Sequence, residues 1–167
     1  NPTSISNTGR AALAYGFLTA SGTCNVTLTF SSDPALCDRT IHEVSGVDSA
    51  SFDKSAIQGQ SLPGLGANAV TSGNVTTAGN GEYIFGATTE PPAIGGPVTT
   101  GTGFTFRTAS GFGSSESQVQ TSAGAIAATF TANTDSDYLT GVLTLKQAVA
   151  SSDHFANNVQ LGQVTQY

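Results

Sequence analysis

The stretch Asn25-Val-Thr-Leu-Thr-Phe30 decides the reading of the chain. Val26, Leu28 and Phe30 alternate with Asn25, Thr27 and Thr29. Successive side chains of a β-strand point to opposite sides, so the stretch predicts a strand with one buried and one wet face. The same period of two recurs in both directions, and each run ends in Gly, Asn, Asp, Ser or Pro, the residues of turns. Strands are expected near residues 11–20, 23–30, 38–45, 68–77, 82–88, 103–109, 115–121, 124–132, 138–146 and 158–166. Tyr83-Ile-Phe85, set between Asn80-Gly81 and Gly86, and Ala125 to Phe130, after Gly124, read as short central strands. No stretch sustains a helical period, although residues 147–156 could form one helical turn. The Pro- and Gly-rich residues 89–102 read as a loop between sheets. About ten short strands in one domain imply an all-β, two-sheet antiparallel β-sandwich, of the jelly-roll type.

Composition narrows the function classes. A chain of 167 residues has the length of one domain. Ser and Thr make up roughly a quarter of it, and charged residues only 10%, against about 25% in an average soluble domain. The net charge of −6 repels a phosphate backbone and an anionic membrane, so neither nucleic acid nor membrane insertion is expected. The apolar runs are far shorter than the roughly 20 residues that span a bilayer. The sequence starts at Asn1 and contains no Met, which reads as a processed chain that has lost a signal peptide. An extracellular or cell-surface location is therefore expected.

From residue 23 onward the order of features resembles a family of bacterial extracellular jelly-roll domains, related in fold to the concanavalin A-like lectins and glucanases. The matching stretches are NVTLTF (25–30), IHEVSGVD (41–48), SGNVTTAGNGEYIFG (72–86), GTGFTFR (101–107), ESQVQTSAGAIAATFT (116–131) and LTGVLTLK (139–146). The resemblance implies a surface domain and leaves its role open. The family domain opens with a pair of strands ahead of the equivalent of residues 1–22, and it ends near Lys146. We therefore expect a sandwich domain over residues 1–146 and a tail, 147–167, that serves as an extra or donated strand. Val159, Leu161 and Val164 alternate with polar neighbours there and are the strand-sharing candidates. A strand passed between neighbours would make copies of the chain its partners and could build a filament.

Specific chemistry finds little purchase. Cys24 and Cys37 are disulfide candidates in an oxidising compartment. If residues 31–36 are a tight connection, however, Cys24 lies at the far end of its strand, about 18–20 Å from Cys37. An internal bridge, a bridge to another subunit and two thiols all stay open. His42 and His154 lie in no catalytic motif, and no GxSxG occurs. Related glucanases carry two glutamates and an aspartate closely spaced on one strand; Asp48 and Asp53 in DSASFD lack both glutamates, so no enzyme is expected and a glycoside hydrolase is the residual case. Glu43 shares a strand face with Ile41 and reads as an inward carboxylate held by backbone amides, Arg39 or Arg107. Glycan binding is the alternative function, with Tyr138 and Tyr167 as contact candidates and Tyr15 and Tyr83 assigned to strand faces; the chain has no Trp. No cofactor is implied. Calcium could bind Asn133, Asp135 and Asp137 in NTDSDY, but the spacing completes no EF-hand loop and an acidic turn is the favoured reading.

Overall fold

The structure is a computed structural model and describes residues 3–5, 9–18, 22–31, 37–61, 67–89, 98–110, 113–132, 137–148 and 158–166. In chain order the strands are β1 (Thr3–Ile5), β2 (Gly9–Leu18), β3 (Cys37–Ser45), β4 (Val47–Ser61), β5 (Asn68–Thr71), β6 (Val75–Thr76) and β7 (Glu82–Thr89). They continue with β8 (Thr99–Thr100), β9 (Thr105–Ser110), β10 (Gly113–Gln120), β11 (Ala125–Ile126), β12 (Thr129–Ala132), β13 (Asp137–Gln147) and β14 (Asn158–Gln166). All ladders among them are antiparallel, and the described residues contain no helix. The chain is all-β, as the alternation predicts.

A five-stranded sheet, β4-β13-β7-β10-β9, forms the middle of the molecule. One face packs on a four-stranded sheet, β1-β2-β14-β3, through Phe85, Ala87, Leu143 and Leu145 against Val44, with Leu13 and Phe17 beside them. The opposite face carries Ile84, Tyr138 and Val142, which meet Val70, Val75, Ala128 and Phe130 from around the small sheets β5-β12-β8 and β11-β6. Odd positions of β7 and β13 thus enter one core and even positions the other. The expectation of one wet face fails for these two strands, because both their faces are covered. The polar even positions survive burial by bonding: Thr88 and Thr140 join hydroxyl to hydroxyl at 2.9 Å. Thr144 accepts the Lys54 amide at 3.0 Å.

Close approach of the layers depends on Gly86. A Cβ there would lie 2.5 Å from the Ala128 methyl and 2.9 Å from the Glu116 side chain, inside any tolerable contact. Gly46 turns the chain from β3 into β4 at φ +80°, a conformation other residues adopt only with strain.

Three further expectations are corrected. Residues 23–30 are not a strand: they join no ladder among the described residues and line a cleft with residues of β2, β3 and β14. Residues 47–61, read only as a pair of aspartates, form β4, whose long ladder with β13 tolerates polar residues at a sheet edge. On β3 the faces are reversed: His42 and Val44 point inward, while Ile41 and Glu43 are exposed. Glu43 is therefore not an inward carboxylate. Most of the expected loop 89–102 and of the helical turn 147–156 falls outside the described residues; Thr99–Thr100 forms β8 and Gln147 closes β13.

Candidate functional site

Two polar knots lie on opposite faces of β10. On one, His42 of β3 reaches Ser115, with Nε2 3.1 Å from the hydroxyl and its ring centroid 4.9 Å from that of Phe85. Burial lowers the His42 pKa, and the nearby Arg107 charge lowers it further. Arg107 itself donates from Nε to the Ser117 hydroxyl at 2.7 Å. A histidine beside a serine suggests a nucleophile, but Ser115 is completely buried and out of reach of a substrate. The pair joins the two larger sheets.

On the other face Glu116, also completely buried, accepts the Thr129 amide on Oε1 at 3.0 Å and the Gly101 amide on Oε2 at 2.9 Å. Burial pushes its pKa up to about 7 despite those two donors. Glu116 fastens the outer strands to the central sheet. Asp53 does similar work on β4, accepting the Ala78 amide at 2.8 Å and the Lys54 ammonium at 3.0 Å. Burial opposes its ionisation, but those bonds and the charges of Lys54 and Lys146 outweigh it and hold its pKa below the usual value.

The third feature is open. A cleft of about 270 Å³ lies on the outer face of the four-stranded sheet. Its floor is made of small residues: Ala14 and Gly16 of β2 and Gly162 of β14. A Cβ at Gly16 would touch nothing within 4 Å. Ile41 lines it from β3, and Cys24, Val26 and Leu28 line it from the segment 22–31. Apolar side chains are unusually exposed here: Val26 is 49% exposed and Ile41 47%. Tyr15 in turn lies flat on the exposed Phe52, with centroids 5.4 Å apart and planes 4° apart. Tyr15 alternates with the cleft floor, on the side of β2 that also carries Leu13 and Phe17, so the Tyr15–Phe52 pair bridges the two larger sheets.

The residues singled out by sequence are scattered. Tyr138 is 1% exposed in the core, so its ring cannot stack on a sugar; its position on a strand covered on both faces buries it. Tyr167, Asn133 and Asp135 lie outside the described residues. Asp137 accepts a hydrogen bond from the Ser61 hydroxyl at the end of the β4–β13 ladder, and no group of three or more potential metal-ligating His, Cys, Asp or Glu occurs among the described residues. No disulfide joins Cys24 and Cys37; the first is exposed in the cleft and the second is half-buried where β3 begins. Val159, Leu161 and Val164 all fall in β14, whose backbone pairs with β2 on one side and β3 on the other. Sequence reading missed the cleft floor. Its signal was the run of small residues at alternate positions, Ala12, Ala14 and Gly16, on a strand that otherwise carries large apolar side chains.

Comparison with protein-family models, curated proteins and solved structures gives no match.

Proposed function

We propose that this chain is an extracellular jelly-roll domain with a structural or adhesive role, which assembles with copies of itself by sharing strands. The observation that carries this reading is the place of β14. It is an inner strand, bonded through Asn158–Gln166 to β2 and to β3 at once. It reaches that position only by way of residues 148–157. A neighbour's β14 could make the same two ladders, and exchange of an identical element is a low-cost route to association. Low charge, abundant Thr and Ser, and the order of the strand motifs support the extracellular assignment.

Paired cysteines test it. In a Cys24→Ser, Cys37→Ser background, Thr40→Cys and Gln163→Cys place two thiols at directly opposed positions of β3 and β14, within disulfide range. Strand sharing gives a ladder of cross-linked chains on a non-reducing gel and filaments by electron microscopy. A single internally bridged monomer, with no filaments, overturns it.

Carbohydrate binding is the second reading, favoured by the exposed Tyr15–Phe52 pair, whose flat apolar surface suits a sugar ring. It requires glycan retention that Tyr15→Ala abolishes.

A further inference from the structure

Residues 25–30 carry backbone groups that need partners. Each contributes one N–H donor and one C=O acceptor. Among the described residues these groups join no ladder and no turn hydrogen bond. Residues 25–29 are all exposed, so water serves their backbone in the isolated chain. Yet the side chains have the alternation of a strand: Val26 and Leu28 line the cleft, 49% and 36% exposed, with polar residues between them. Proteins ordinarily disarm such an edge with lysine, proline or a bulge. None of these protects residues 23–31, which contain neither a charge nor a proline.

We propose that residues 24–30 pair antiparallel with the same segment of a second copy, about a two-fold axis through Thr27. The segment is complementary to itself in this register. Val26 lies opposite Leu28 of the partner subunit and Asn25 opposite Thr29 of the partner subunit, so apolar meets apolar and polar meets polar. Cross-strand pairs of this kind stabilise a ladder. The two apolar faces then form one continuous surface with both clefts.

Charge selects a second copy as the occupant. The chain carries −6 overall, so copies repel where their carboxylates meet. No residue between Arg10 and Asp33 is charged, and this stretch supplies most of the cleft lining. Two copies can therefore pair through this segment without opposing like charges within it, and Glu43 beside Ile41 on the outward face of β3 is matched there by Arg39. An extended peptide also satisfies the backbone of residues 25–30, which an acyl chain or a sugar lodged in the cleft would leave unpaired. The inference rests on association between copies but not on exchange of β14, since a dimer at this edge forms with each β14 in its own sheet.

Thr27 faces itself across the axis, which supplies the test. In a Cys24→Ser, Cys37→Ser background, mild oxidation of Thr27→Cys should yield a disulfide-linked dimer, whereas Val119→Cys, at a site 59% exposed in the parent chain, stays uncross-linked. The double variant Val26→Lys, Leu28→Lys should lose the dimer in sedimentation while melting at the parent temperature. If that variant fails to fold, the cross-link decides alone. A chain that stays monomeric at every concentration, or a Thr27→Cys cross-link that survives both lysines, overturns the proposal. If the paired cysteines of β3 and β14 link chains while Thr27→Cys does not, copies associate through β14 only and the Thr27 edge is refuted.

Discussion

The central sheet and the outer face of the four-stranded sheet use opposite chemistry for opposite ends. In the centre, β7 and β13 are covered on both sides, and their polar groups are bonded: Thr88 to Thr140, the Leu139 amide to Thr89, Glu116 to two amides. On the outer face, apolar side chains stand exposed over a floor of Ala and Gly, beside six residues without a ladder. An exposed apolar patch next to unpaired backbone marks an interaction surface in a natural protein. The contrast sets a region built for stability apart from the one in which we propose that copies associate. Mutations should therefore sort by region.

The largest effect is expected in the centre. Phe85→Ala removes a fully buried ring from between β3 and β13 and should cost about 3–5 kcal/mol in urea unfolding. A loss below about 1 kcal/mol would mean that the core refills, and that the centre is no more rigid than the outer face.

Glu116→Gln comes next. The amide group of Gln supplies one acceptor and turns a donor toward the other backbone N–H, a loss of about 1–3 kcal/mol. Its pH dependence is more diagnostic. The folded state holds the Glu116 proton more tightly than the unfolded chain, with a pKa of about 7 against an ordinary 4.5. Its contribution is therefore fully present below pH 4.5 and is lost as pH rises through about 7, by about 3 kcal/mol in all. His42 works in the opposite sense. Its folded pKa lies below its ordinary 6.5, so its contribution is present above that value and declines as pH falls. The difference between parent and Glu116→Gln isolates the carboxylate: the parent should lose stability relative to the variant between those limits. Parallel curves would show that burial does not govern Glu116.

The smallest effect belongs to the outer face. Ile41→Ser, at a position 47% exposed, should change stability by no more than about 0.5 kcal/mol. A larger loss in the dilute monomer would mean that Ile41 is part of the core.

The period-two pattern made the strand class legible, and most strand positions around Ile84, Phe130 and Leu143 with it. It did not make the layers legible. A threonine buried by a hydrogen bond, as Thr88, Thr140 and Thr144 are, looks identical in sequence to a wet one. β4 escaped because SFDKSAIQGQ is nearly as polar as a loop, and an edge strand needs little apolar area once β13 supplies its ladder. Glu116 gave no warning, since its two partners, Gly101 and Thr129, come from other parts of the chain. The place of β14 between β2 and β3 was equally hidden, being a pairing of residues far apart in sequence. Residues 25–30 carry the plainest strand pattern of all, yet join no ladder; alternation records a readiness to pair and not the presence of a partner.

Amide hydrogen exchange tests the division between the two regions most directly, because it reads each segment's opening energy separately. In dilute solution β7 and β13 should exchange only through global unfolding while residues 25–30 exchange freely, and raising the protein concentration should protect residues 25–30 alone. Equal protection of both regions at every concentration, or residues 25–30 exchanging freely at all of them, would contradict the account.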